Sequence, residues 1–261
     1  MSSDVKDTAF PFVEPEGVAS VEECSFYHVM DLPGIGTVGD QWDLRKTIEE
    51  YLGRFDFDGK RVLDVGSASG FLTFEMEKRG ACVVSFDIVE GAEWNLVPYA
   101  NPGFDREELV ERLRQHISRI KKAYWFAHRL LGSRARACYG DIYDFPAGLG
   151  VFDVVNFGMV LPHLRDPFLA LESASRLSRE WAIVTHQSME TKDPLMRFIP
   201  DPETCSDPLT WWEISEGCMA RMLEVVGFEV VSKRRARHYC VVRKHHETCT
   251  TFVARRVHPP R

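Results

Sequence analysis

The chain has 261 residues, 44% hydrophobic, 27% charged and 11% aromatic, with a formal net charge of −7. That length suits one sizeable core without disulfide or metal staples, and no run approaches the ~18 consecutive apolar residues of a membrane-spanning helix. The seven cysteines (Cys24, Cys82, Cys138, Cys205, Cys218, Cys240, Cys249) include no C-x-x-C pair, which argues against a zinc site and for reduced thiols. The N-terminal stretch has no apolar core of signal-peptide type, so a cytoplasmic location is expected.

In chain order, residues 1–20 read as a loose acidic tail, and 21–56 as a lid segment with a turn at Pro33-Gly34. A helix is expected from about Asp43, its N-cap, with Leu44, Ile48, Tyr51 and Leu52 at helical spacing. Residues 57–261 read as the main domain. Arg61 to Val65 is a short apolar run of the buried parallel-strand kind, 71–79 is helical, and Cys82 to Phe86 is a second strand ending at Asp87. Strand, helix and strand within about thirty residues make a βαβ unit. A helical insert near 100–132 carries Leu109, Leu113, Ile117, Ile120, Ala127 and Leu131 on one face and ends at Gly132. Its length suits a cover for both sheet and crevice. Further strands are expected at 134–139, 152–157, 181–186, 228–231, 238–243 and 248–254, with helices at about 167–177 and 215–226. The alternation predicts a doubly wound, mostly parallel seven-stranded α/β sheet of the Rossmann-like kind.

In such sheets a ligand binds beyond the carboxyl ends of the strands. The first strand delivers VLDVGSASGF there, with Gly66, Ser67 and Gly70 in a tight turn. Asp87, followed by Ile88, stands where a carboxylate accepts hydrogen bonds from the two hydroxyls of a ribose. A dinucleotide fingerprint needs three glycines, G-x-G-x-x-G, to approach a pyrophosphate. Here Ala68 and Phe71 occupy two of those places, and no Gly-Lys-Ser/Thr loop is present. A ribose acid without a phosphate cradle suits S-adenosyl-L-methionine.

On these residues the stretch from Arg61 to Leu177 resembles the class I S-adenosylmethionine-dependent methyltransferases. The resemblance implies that Asp141 and Ile142 of GDIYDFP read the adenine, and that Asn156, Phe157 and Gly158 of FDVVNFG flank the methionine part. For Asp64 two roles stand side by side: a bond to the cofactor ammonium, or a structural acid ordering the loop. More closely, FYHVMDLPGIGTVGDQWDLR and DPLTWWEIS look like methyltransferases related to the bacterial tRNA wobble-uridine carboxymethyltransferase. Gln41 replaces the lysine that those enzymes carry before their Trp-Asp pair, which points to plain S-adenosylmethionine. This closer likeness sets Trp42 beside the cofactor and Arg45 on the acceptor side.

Methyl transfer to a hydroxyl needs a proton acceptor, and histidine is the usual one. His163, just past the fourth strand, is the leading candidate and His28 the second. Tyr27, His186, Trp211 and Trp212 are candidate acceptor contacts, the paired tryptophans offering flat apolar surface. At least one of the two tryptophans is expected to be buried, and Tyr124, Trp125 and Phe126 are expected in the core. Residues 1–56 carry a net charge of −8 and residues 233–261 one of +8. The basic end makes RNA the alternative acceptor, with a small molecule preferred and DNA and membrane partners not expected. A methyltransferase-like scaffold without catalysis is the third reading. No metal site is expected.

Overall fold

The computed structural model describes residues 11–89, 95–101 and 103–260. Residues 1–10 of the acidic tail lie outside them. Thirteen strands are described: β1 (Met30–Leu32), β2 (Gly36–Val38), β3 (Trp42–Asp43), β4 (Arg61–Val65), β5 (Cys82–Ile88), β6 (Arg136–Gly140), β7 (Phe152–Gly158), β8 (Ser178–His186), β9 (Ser188–Met189), β10 (Met196–Phe198), β11 (Trp212–Ser215), β12 (Phe228–Cys240) and β13 (His245–Arg256). The α-helices are α1 (Ile48–Tyr51), α2 (Phe71–Lys78), α3 (Arg106–Leu131), α4 (Pro167–Ser175) and α5 (Glu216–Val225).

The main sheet runs β3-β12-β13-β8-β7-β4-β5-β6. β8, β7, β4, β5 and β6 are parallel, and β13, β12 and β3 are antiparallel additions. The eight segments expected as strands fall on seven strands of this sheet, and the two-residue β3 adds an eighth at the edge. The chain steps outward from β4 to β5 and β6, then returns to β7 on the other side, so the strand order reverses between β4 and β7. The central strands β4, β5, β7 and β8 are buried on both faces and alternate between two cores, whereas β12 is largely exposed. Val62, Val83, Val154 and Ile183 face α1, α2 and α3, while Leu63, Val84, Val155 and Val184 face α4 and α5.

Several local expectations change. The segments 228–231 and 238–243 belong to one continuous strand, β12, with a register shift between Val230 and Ser232. The helix expected from Asp43 starts only at Ile48. Asp43 instead pairs in β3 with Tyr239, and its carboxylate accepts from the Arg45 backbone N–H, an Asx turn that competes with helix. The described part of the tail is docked: Val13 bridges to Ala137 on β6, and Val18 is buried.

α3 matches its expected start and stop. The Asp105 side chain accepts from the Glu108 N–H, and Gly132 closes the helix at φ 63°. Tyr124, Trp125 and Phe126 are buried against α2 and the sheet, and Leu109 and Leu113 pack on Leu96 and Leu209 above the rim. A Cβ added at Gly132 meets nothing within 4 Å, so only its left-handed backbone opposes a side chain. Gly132→Ala should therefore cost ~1 kcal/mol of unfolding free energy, measured by urea denaturation.

Candidate functional site

Strand register assembles the rim. Val65 pairs with both Phe86 and Phe157, and Ile88 with Gly140. The next residues therefore converge at the carboxyl edge: the Gly66–Gly70 loop, Asp87 and Ile88, Asp141 and Ile142, and Gly158. The loop is held in left-handed backbone at Gly66 (φ 78°), Ala68 (φ 47°) and Gly70 (φ 88°). A Cβ on Gly66 would come within 2.2 Å of the Val160 side chain, and one on Gly70 within 2.5 Å of Phe74. Only glycine fits either place.

The half-buried Asp87 carboxylate accepts from the Ala68 N–H at 2.6 Å and from its neighbour Ile88 N–H at 2.7 Å. Burial raises its pKa, opposed by those two N–H bonds and by Lys121 of α3. Each oxygen keeps a lone pair for a further donor. Ser67 is buried in the loop, Asp141 is exposed with its side chain on the Tyr143 N–H, and Ile142 is half-buried beside it.

Asp64 lies under the loop, fully enclosed. One oxygen accepts from Asn156 Nδ2 at 2.8 Å and the other from Thr73 Oγ1 at 2.7 Å. Thr73 continues to Ser85 at 2.9 Å, and Ser85 to the Tyr124 hydroxyl at 2.8 Å. Burial pushes the Asp64 carboxyl up to about 6. This geometry favours the structural role for Asp64, and it puts Asn156 on Asp64 rather than on a ligand. The Phe157 side chain is likewise in the α4–α5 core, leaving only its backbone at the rim.

The N-terminal segment closes over the loop. The Tyr27 N–H donates to Ser69 Oγ at 3.0 Å, and His28 stacks on Phe71 with ring centroids 5.6 Å apart. Gly39 lies so close that a Cβ would meet the His28 carbonyl at 2.2 Å. His28 is buried, its Nδ1 has no hydrogen-bond partner among the described residues, and burial lowers its pKa to about 3. Trp42 is half-buried, pairs with Cys240, and bonds the Tyr27 phenol.

Two acceptor-side expectations need correction. Arg45 is exposed on the outer side of the segment, in a fork with Asp43 and a bond to Asp31, and its cleft is lined by Phe71, Phe74 and Glu75 of α2. Short-range pairing of a guanidinium with two carboxylates outweighs any reach to the rim. His186 ends β8 but is fully buried; its ring stacks on Phe252 at 14° and its Nδ1 bonds the Gln187 carbonyl.

On the β7 side, three loops form a roof. Trp211 N–H donates to the Pro162 carbonyl, its indole N–H to the Asn95 carbonyl, and the Val97 N–H to the Pro208 carbonyl. Trp211 is thus the buried plug of this roof, while Trp212 is half-buried with its indole on the Arg165 carbonyl. His163 Nδ1 lies 3.1 Å from the Leu209 carbonyl, which assigns the proton to Nδ1 and leaves the lone pair on Nε2. The residue is exposed, and the atoms packed around its ring lower its pKa through desolvation. Sequence reasoning missed Ser69, Thr73, Ser85 and Tyr51; a lone hydroxyl inside the apolar run CVVSF was the available sign of the buried network. Among the described residues no cluster of metal-ligating side chains occurs.

The Asp64 pKa has a signed consequence. Raised in the fold from 3.8 to about 6, it adds stability below pH ~4 that is lost as pH rises through about 6. Denaturation of the unliganded chain and of Asp64→Asn should show the difference in stability (native minus variant) falling across that window, by on the order of 1–3 kcal/mol.

The family described as "Methyltransferase domain" matches residues 41–233. Among solved structures, the N-terminal domain of EvdMO1 with S-adenosylhomocysteine and D-fucose is similar at 17% identity and TM-score 0.58, over 91% of this chain and 93% of that one. Magnesium protoporphyrin IX methyltransferase from Synechocystis PCC 6803 is similar at 14% and 0.52, over 82% and 81%. A Burkholderia thailandensis 1,6-didemethyltoxoflavin-N1-methyltransferase is similar at 20% and 0.50, over 82% and 76%. No curated protein matches by sequence. The solved structures share the fold, and the family match spans most of the chain: this protein belongs to the methyltransferase domain family.

Proposed function

We propose that the chain binds S-adenosyl-L-methionine and transfers its methyl group to a small-molecule acceptor, at oxygen. The observation that carries the reading is the register that sets a bare, left-handed glycine turn and the Asp87 carboxylate side by side at the switch point. The residues fit the cofactor. Gly66, Ser67 and Gly70 form a tight turn at the rim with no side chain projecting from either glycine, and Asp87 keeps acceptor capacity for ribose hydroxyls. Asp141 and Ile142 stand next along the rim for the adenine, with Gly158, the Phe157 backbone and Trp42 toward the methionine part. When bound, the cofactor supplies an electrophilic methyl on a sulfonium. The chain's own part is to hold it, exclude water beneath the 27–42 segment and the Trp211 roof, and take a proton. His163 is the proposed base, because its Nδ1–H bond aims a free Nε2 lone pair away from the Leu209 loop. His28, neutral at physiological pH, is the second candidate, with Tyr27 and Trp212 as acceptor contacts.

The closer likeness to the wobble-uridine enzymes favours RNA, and a specific observation weighs against it. Half of the basic residues of the β12–β13 hairpin are engaged within the fold, Lys233 and Arg235 with Glu216, Arg243 with Glu247, and Arg256 with backbone carbonyls, while Arg234, Arg237 and Lys244 are exposed. The similar EvdMO1 domain with D-fucose, the magnesium protoporphyrin IX methyltransferase and the 1,6-didemethyltoxoflavin methyltransferase, each named with a small molecule, support the same preference.

Incubation with methyl-labelled S-adenosylmethionine, against a small-metabolite extract and against total RNA, separates the readings. Label is expected in the small-molecule fraction; nuclease-sensitive label would establish RNA, and cofactor binding without turnover would establish the scaffold. By calorimetry, Asp87→Ala should weaken S-adenosylhomocysteine at least tenfold, since each lost bond to a charged acceptor costs ~1.5–3 kcal/mol. Unchanged affinity would remove Asp87 from the site. His163→Ala should slow turnover and leave that affinity within about twofold.

A further inference from the structure

Tyr51 ends α1 and is braced more firmly than its place in a four-residue helix requires. Its carbonyl takes the hydroxyls of Thr185 (2.9 Å) and Thr251 (3.1 Å), which are themselves 2.9 Å apart. Its ring meets His238 edge-on at 5.1 Å and 80°, and His238 Nδ1 is tied to Thr47 Oγ1 at 2.8 Å. Two strands, a helix turn and a buried histidine therefore fix where the phenol points.

It points to the end of β7. A Cβ built on Gly158 would lie 3.5 Å from the Tyr51 hydroxyl and 2.5 Å from Leu72. Gly158 follows the residue paired with Val65, so the hydroxyl stands one strand across from the Gly66 turn. The ring is buried, yet its hydroxyl takes no hydrogen bond from any described residue. The hydroxyl itself is not fully enclosed, so water or a ligand supplies the partner that a phenol on a buried ring ordinarily finds. Burial holds its pKa well above the ordinary value, with Cys249, Tyr27 and Asp64 adding to the rise. The group is therefore a neutral phenol at any physiological pH, able to accept through its oxygen.

We propose that the Tyr51 phenol oxygen is the polar contact of the transferable methyl, facing the positive sulfonium across the gap that Gly158 leaves. This rests on the S-adenosylmethionine reading above. The cofactor's sugar belongs at Asp87 on β5, so its sulfur end extends across β4 toward β7, where an oxygen lone pair meets polarised C–H groups. The phenol also marks the direction from which an acceptor must approach, since it occupies the flank of the methyl and not its back.

The test uses two cofactor analogues and needs no acceptor. S-adenosylhomocysteine has nothing in the methyl position, whereas sinefungin places an amine-bearing carbon there. By calorimetry, Tyr51→Phe should leave S-adenosylhomocysteine within about twofold and weaken sinefungin about tenfold or more, because only the latter reaches the hydroxyl. The melting temperature of the unliganded variant should be no lower than that of the native chain, since the hydroxyl takes no hydrogen bond from any described residue. Equal losses for both analogues, no loss for sinefungin, or a lowered melting temperature would each overturn the assignment. If the native chain binds neither analogue, the cofactor reading itself fails, which is a distinct result.

Discussion

A carboxylate buried without an ion pair in hydrogen-bonding contact organises this molecule. Asp64 is fully enclosed and satisfied by neutral donors, Asn156 from β7 and Thr73 from α2, with Ser85 of β5 and Tyr124 of α3 continuing the chain. Five elements thus meet at one polar thread through an apolar core. Such a network is favourable only when every member is partnered. It therefore specifies the relative placement of β4, β7, β5, α2 and α3 more sharply than apolar packing alone can. The loop above inherits that placement. Its three left-handed residues are strained or glycine-only conformations, held because strand, helix and the Asp87 carboxylate fix both ends.

The N-terminal segment depends on the same loop and in turn covers it. Tyr27 is bonded to Ser69, Ser25 N–H to the Arg119 carbonyl of α3, and Val29 N–H to the Trp42 carbonyl. β3 then attaches the segment to β12 at the far edge of the sheet. The wall it forms is thus anchored at α3, at the loop and at β12. Arg45 serves this wall by joining Asp31 to Asp43 rather than by reaching inward. Such exposed pairs contribute modestly to stability, so their role is to set the path of the chain between β1 and β3.

What could be read from the residues follows a physical divide. β4, β5, β7 and β8 were legible because strands buried on both faces are continuous apolar runs. α3 was legible because its periodicity, Asp105 and Gly132 agree with one another. The glycine turn and Asp87 were legible because backbone geometry restricts them to few residue types. The α1 boundary was not, since an Asx turn at Asp43 competes with helix over the same residues. Nor was the fate of Arg45, His186 or Asn156, whose partners Asp31, Phe252 and Asp64 lie 14, 66 and 92 positions away. Side-chain direction at a strand end depends on tertiary neighbours, and no local pattern encodes them.

The charge asymmetry illustrates the same divide in a way that bears on the acceptor. A net of +8 over residues 233–261 invites a polyanion, but charge in sequence says nothing of what each cation touches. In the fold, Lys233 and Arg235 converge on the largely buried Glu216, which also accepts from Thr250. Arg243 and His245 share Glu247, which also takes Gln187. Arg256 lies over Phe228 and binds the carbonyls of Ser175 and Ser178. A phosphate backbone would have to compete for these cations, leaving Glu216 and Glu247 without their partners in a half-buried setting, where an unpaired carboxylate is costly. These pairs form an electrostatic seam that locks β12 and β13 to α5 and β8, while Arg234, Arg237 and Lys244 stay exposed beside it.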